Sequence, residues 1–177
     1  DGSWTHLPAT PVAERDPTLS PAGTMSCFRR GHELYVRDIE SGREIRLTHD
    51  GSETIWNAKL DWVYPEELDI GTAWWWSPDS KPVAYLQFDV ARQQIYGHMD
   101  HLPVEPVSEP QRYPKAGTPN ADVRCGVVSA AGGRTRWMDF GEMRDHLLTH
   151  VYWTPDSQRV VAHRLNRVQN HLQILAA

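Results

Sequence analysis

The chain has 177 residues, 40% of them hydrophobic and 23% charged, which is enough apolar material for a packed core and argues against disorder. Its 18 Lys and Arg against 23 Asp and Glu leave a net charge of −5, which excludes a general nucleic-acid binder because nothing concentrates positive charge for a phosphate backbone. No apolar run approaches the ~20 residues of a membrane span, and the first residues lack a signal-peptide core. In chain order, residues 1–18 hold Pro8, Pro11 and Pro17 and read as an extended, loosely attached segment. Leu19-Ser20-Pro21-Ala22-Gly23 then turns into the β-prone run Met25-Ser26-Cys27-Phe28. Residues 33–38 and 43–48 flank Ile39-Glu40-Ser41-Gly42 as a second hairpin. Residues 57–68 form a loop rich in large aromatics, and Pro65-Glu66-Glu67-Leu68 predicts a short helical turn with proline at its first position. Trp76-Ser77-Pro78-Asp79-Ser80 leads into the strand-like run 83–88. Residues 97–120 contain Pro103, Pro106, Pro110, Pro114 and Pro119, a density that predicts a long connection without a central strand. Residues 124–128 and 134–138 flank Ala131-Gly132-Gly133 as another hairpin, and Trp153-Thr154-Pro155-Asp156-Ser157 leads into a last run, 160–165.

Three of these segments repeat one pattern: an apolar residue, Ser/Thr-Pro-x-Gly/Ser, then a β-rich run. Proline presets φ at the first central position of a turn, and the small or acidic residues after it close the turn, so each unit reads as a hairpin. With 8 Trp, 13 Pro and 12 Gly, the composition is that of a short-stranded all-β protein. The turns begin at Ser20, Ser77 and Thr154, spacings longer than the roughly 40–50 residues of a minimal propeller blade, so insertions must absorb the difference. The expected fold class is all-β, a β-propeller fragment of about three four-stranded blades with one short helical turn near Glu66-Glu67. Because a closed propeller has four to eight blades, the expectation is a fragment of a longer protein whose open blade faces associate as a homodimer.

Few residues offer chemistry. No G-x-S-x-G elbow occurs, so no serine stands out as a nucleophile. His98-x-x-His101 and His146-x-x-x-His150 have spacings used by metal ligands, but neither brings a third ligand and no H-E-x-x-H accompanies them. Cys27 and Cys125 are isolated, which removes a disulfide scaffold and a cysteine zinc site. No metal and no cofactor are expected. In Trp74-Trp75-Trp76, strand alternation puts Trp74 and Trp76 in one packing layer and Trp75 opposite, so the run reads as core rather than a stacking platform. Glu66 and Glu67 taken alone read as a solvated acidic patch.

The segment around them changes that reading. Asp61-Trp62-Val63-Tyr64-Pro65-Glu66-Glu67-Leu68, Tyr113-Pro114-Lys115-Ala116-Gly117-Thr118-Pro119-Asn120, and Trp153-Thr154-Pro155-Asp156 with Arg164-Leu165-Asn166-Arg167 together resemble the N-terminal β-propeller of the dipeptidyl peptidase IV family. The resemblance covers residues 19–177 as a partial propeller domain and leaves residues 1–18 without a motif. It implies an eight-bladed propeller joined to a C-terminal α/β-hydrolase domain, and an exopeptidase that removes dipeptides from peptides with a free N-terminus. The family's paired glutamates, which hold the substrate's α-amino group, correspond to Glu66 and Glu67. A third acidic residue that often precedes the pair is replaced here by Pro65. The family's Ser-Asp-His triad belongs to the hydrolase domain, so no catalytic residue is expected in this chain. Family resemblance further suggests a periplasmic or secreted location. The alternative is a propeller interaction module without peptidase activity.

Overall fold

The computed structural model describes residues 10–141 and 144–177. Strands β1 (Glu14–Leu19), β2 (Met25–Arg30), β3 (Glu33–Asp38) and β4 (Glu44–Arg46) pair antiparallel in sequence order as a first sheet. Next come β5 (Ile55–Asn57), the helix α1 (Val63–Glu67), β6 (Trp74–Trp76) and β7 (Pro82–Asp89). A two-stranded ribbon, β8 (Ile95–Asp100) with β9 (Val107–Arg112), precedes β10 (Asp122–Ser129) and β11 (Arg136–Trp137). The second sheet runs β11-β10-β7, with β5 and β6 both on the remaining edge of β7. The third consists of β12 (His146–Trp153), β13 (Val160–Asn166) and β14 (Leu172–Ala176). The architecture is therefore a β-propeller fragment, with three rather than four strands in the last blade among the described residues. No helix among the described residues is long and apolar enough to cross a membrane.

The three repeated turns have one geometry. The fourth residue of each donates its N–H to the first residue's carbonyl: Gly23 to Ser20 at 2.8 Å, Ser80 to Ser77 and Ser157 to Thr154 at 2.9 Å. All three fourth residues sit at positive φ (72°, 62° and 61°), where Gly is unstrained and Ser is held by the turn. Neighbouring turns are also joined. Ala22 N–H donates to Ser80 Oγ and Asp79 N–H to Ser157 Oγ, each at 3.0 Å. Indoles repeat the pattern: Trp76 Nε1 reaches the Thr18 carbonyl at 3.3 Å, and Trp153 Nε1 reaches the Trp75 carbonyl at 3.0 Å. Trp74 bonds Thr18 Oγ1 at 2.9 Å, so Trp74 and Trp76 do share a layer facing β1, as strand alternation predicts. Cys27, Leu34 and Val36 of the first blade, Val83, Leu86 and Phe88 of the second, and Leu148, Val151 and Ala162 of the third belong to one buried cluster.

Two proline-bearing stretches carry strands of their own. Of the segment 1–18, residues 1–9 lie outside the described residues, while β1 crosses the boundary at residue 19 and pairs with β2 from Glu14 onward. The positive φ of Asp16 (55°) and a register shift between Arg15 and Thr18 accommodate Pro17 within that strand. The proline-rich stretch 97–120 holds no central strand, as its prolines predict, but it does carry an edge strand, because β9 contains Pro110, paired with Gly97. Proline is tolerated there because β9 pairs on one side only and needs no second ladder.

Candidate functional site

The site is an excursion from one strand. β5 and β6 run in the same direction along β7, and Leu86 marks the gap between them. The Leu86 carbonyl accepts from Ala58 N–H at 2.9 Å, and the Leu86 N–H donates to the Ala73 carbonyl at 2.8 Å. Residues 58–73 thus leave the sheet and return one residue apart on its edge, with Ala58 at φ 54° making the exit. The first strands of the other two blades are irregular in the corresponding region, with register shifts in β1 and between Leu148 and His150 in β12. The second blade has an insertion where the others have a bulge.

The buried residue before the exit, Asn57, accepts from Gln87 Nε2 at 2.8 Å and donates to Asp50 at 2.8 Å. α1 lies within the excursion. It begins two residues earlier than the sequence predicts because the Asp61 carboxylate accepts the Val63 N–H at 3.1 Å and takes the Tyr64 N–H as well. Pro65 therefore falls third in the helix, still within the first turn, where its missing N–H has no intrahelical partner to lose. Tyr64 anchors the helix from below. Its ring meets Phe88 edge-on at 4.8 Å, and its oxygen accepts the Leu148 N–H of the third blade at 3.0 Å. Burial pushes the Tyr64 hydroxyl above its usual range.

A cavity of about 480 Å³ opens between this helix and the ribbon, walled by Trp56, Lys59, Asp61, Trp62, Glu66 and Arg112 among others. Trp62 packs on Tyr113 with centroids 4.3 Å apart, and Tyr113 meets Tyr96 at 6.0 Å. Lys59 Nζ sits 3.7 Å from the Trp56 ring centroid. Burial, then the Arg29 and Arg112 charges, push the Lys59 ammonium below its usual value. Burial raises Asp61, against the hydrogen bonds from Gln93 and the two backbone N–H groups. Glu66 and Glu67 are both exposed; Glu66 borders the cavity, and Glu67 forms no part of its wall.

The other motif residues fall around this core. Arg167 Nη2 donates to the Thr118 carbonyl, so the Y-P-K-A-G-T and R-L-N-R segments meet. His98 lies on β8 with His101 just beyond it, and His146 and His150 lie on β12. The His150 and His163 rings lie tilted with centroids 5.3 Å apart, and no group of three His, Cys, Asp or Glu suited to a metal ion occurs among the described residues. Cys27 and Cys125 are buried free thiols, and burial pushes Cys125 up to about 12. Sequence reasoning named Glu66 and Glu67 but missed Lys59, Gln93 and Arg112. Arg112 adjoins the Y-P-K-A-G motif, which is a local signal, while Gln93 has none.

A family model described as the dipeptidyl peptidase IV (DPP IV) N-terminal region matches residues 2–177. The Aspergillus flavus protein named "Probable dipeptidyl peptidase 4" is 32% identical over 188 residues, covering 98% of this chain and 24% of that protein. Dipeptidyl aminopeptidase A of Saccharomyces cerevisiae is 31% identical over 148 residues, covering 80% of this chain and 16% of that protein. The crystal structure of Porphyromonas gingivalis dipeptidyl peptidase 4 superposes with a TM-score of 0.86 at 26% identity, over 93% of this chain and 24% of that one. The chain thus spans about a quarter or less of the length of these relatives. With a family model matching residues 2–177 of a chain folded as a β-propeller fragment, the chain belongs to the dipeptidyl peptidase IV N-terminal-region family.

Proposed function

We propose that the chain is the non-catalytic propeller portion of a dipeptidyl peptidase IV-like serine exopeptidase, and that Glu66 and Glu67 bind the free α-amino group of the peptide substrate. The observation that carries this reading is the placement of Glu66 on a short helix at the sheet edge, where its exposed side chain borders the cavity between the helix and the ribbon. A substrate ammonium offers three donors and one positive charge, and two carboxylates accept from it with charge-assisted hydrogen bonds. Adjacent glutamates repel in the empty site, and the arriving cation relieves that repulsion. Fixing the amine sets a ruler, so that the bond two residues into the peptide is the one presented to a serine. That serine belongs to a C-terminal α/β-hydrolase domain, which the propeller covers and gates. A second copy of the chain is a further partner on this reading.

The test uses the full-length protein and a dipeptidyl substrate with a free amine. Glu66→Gln or Glu67→Gln is expected to lower kcat/KM by on the order of 10²-fold, as loss of charged hydrogen bonds of ~1.5–3 kcal/mol dictates. Near-normal turnover by both variants would remove the assignment.

A further inference from the structure

We infer that Asp61 and Gln93 are positioning residues that fasten the Glu66-Glu67 helix to the root of the β8–β9 ribbon. Asp61 is 3% exposed and lines the same cavity as Glu66. A carboxylate that far from water is costly unless fully bonded, and its bonds point to two different elements. Oδ1 accepts the Val63 N–H at 3.1 Å at the start of α1, and Oδ2 accepts Gln93 Nε2 at 2.7 Å. Gln93 is also 3% exposed and sits in the turn that launches the ribbon, closed by its own N–H on the Val90 carbonyl at 3.1 Å. Arg112, the last residue of β9, clamps that turn from the returning strand, with Nη1 donating to the Val90 carbonyl at 2.8 Å and the Gln93 carbonyl at 3.2 Å. An unbroken line of hydrogen bonds therefore runs from the helix through Asp61 and Gln93 to the turn before β8 and the end of β9. The contact of Trp62 with Tyr113 runs beside it as a second path.

The Gln93 amide shows what Asp61 is for. Its Oε1 is buried and has no hydrogen-bond partner among the described residues. Turning the amide over would set that oxygen against the Asp61 carboxylate, so the carboxylate fixes the orientation at the expense of an unpaired acceptor. A helix of five residues has too few internal bonds to hold its own direction. The direction in which Glu66 and Glu67 project is thus set by the link to the ribbon, whose outer end exposes Leu102 and Val104. A shift of the ribbon root moves the paired carboxylates.

The functional half of this inference rests on the amine-binding reading, while the linkage itself does not. Two variants separate them. Gln93→Met keeps the length of the side chain and removes the donor. Asp61→Asn keeps an acceptor for Val63 and lets its own amide donate to Gln93 Oε1 once Gln93 turns over, so it restores the link without the charge. In the 177-residue chain, Gln93→Met is expected to speed amide exchange at Val63 and Tyr64 about tenfold, with the amides of β2 and β3 unchanged as a fold control. Asp61→Asn is expected to stay within about threefold of the parent at the same amides. In the full-length protein, Gln93→Met is expected to raise KM for a free-amine dipeptidyl substrate about tenfold with a smaller change in kcat. Unchanged exchange at Val63 and Tyr64 in Gln93→Met overturns the linkage, whatever Glu66 does. Faster exchange with unchanged KM, in a protein where Glu66→Gln is impaired, overturns the positioning role and leaves the amine site standing. Faster exchange in a protein where Glu66→Gln and Glu67→Gln are silent overturns the amine reading, and the positioning role with it, and leaves the linkage as a structural contact.

Discussion

Arg37 is 2% exposed and charged, and it makes the outer face of the first blade self-sufficient. Its guanidinium lies 4.7 Å from the Phe28 ring and donates to Glu14 at 2.6 and 3.0 Å, and to Glu44 through Nε at 3.1 Å. Arg30 binds the same two carboxylates, at 2.7 Å to Glu14 and 3.1 Å to Glu44. The Arg37 hydrogen bond holds Glu14 below the usual carboxylate range, and the Arg30 bond does the same for Glu44. A carboxylate whose folded pKa is depressed contributes stability that is complete above its unfolded value, about 4.3 for Glu, and is lost as pH falls through the folded value. Glu14→Gln is therefore expected to destabilise the chain by about 1–3 kcal/mol near pH 7. The gap to the parent should close as pH is lowered below about 4. Thermal melts of both proteins from neutral to acid pH measure this, and parallel curves would rule out the Arg30, Arg37, Glu14 and Glu44 ion pairs as the source. None of it was legible beforehand. Glu14 lies in a proline-bearing stretch that reads as loose, and scattered charges read as a solvated face until the register of β1 on β2 brings them over one aromatic pair.

At the scale of elements, α1 depends on its neighbours more than on its own sequence. Tyr64→Phe keeps the ring against Phe88 but leaves the buried Leu148 N–H of the third blade without an acceptor. The expected cost is about 1–3 kcal/mol, the penalty of one unsatisfied buried donor. Denaturant unfolding measures it, and faster exchange at the Leu148 amide should accompany it. An unchanged midpoint would show that the hydroxyl carries no inter-blade bond. The helix itself could be read from Pro65-Glu66-Glu67, because turn chemistry is local. Its start could not, since a buried Asp61 outranks the preference of proline for the first position. The ribbon was hidden for the opposite reason: proline density forbids a central strand but not a pair of edge strands. Gln93 and Leu148 enter the site through contacts spanning tens of residues, and no local pattern marks them, whereas Arg112 is marked only by its place beside the Y-P-K-A-G motif.

For the whole molecule, the repeat is what joins the blades. The Ser/Thr-Pro-x-Gly/Ser turns were visible as hairpins because each closes on itself within four residues. What periodicity could not show is that the same residues bond from blade to blade. Ser80 Oγ accepts from Ala22 N–H of the first turn, and Ser157 Oγ accepts from Asp79 N–H of the second. The fourth position of the first turn is Gly23, which satisfies its own positive φ but offers no hydroxyl. Serine at the two later positions accepts the same strained backbone, and the hydroxyl compensates by capping a neighbour's N–H. Ser80→Ala and Ser157→Ala should each cost about 0.5–1.5 kcal/mol, the ordinary net value of one such bond. The two bonds share no atoms and join different pairs of blades, so the double variant should equal the sum of the singles within about 0.5 kcal/mol. Denaturant midpoints of the three variants decide it. A Ser80→Gly variant adds a control, because glycine relieves the backbone while still deleting the acceptor: if Ser80→Gly is as stable as the parent, the turn conformation rather than the inter-blade bond is what serine supplies.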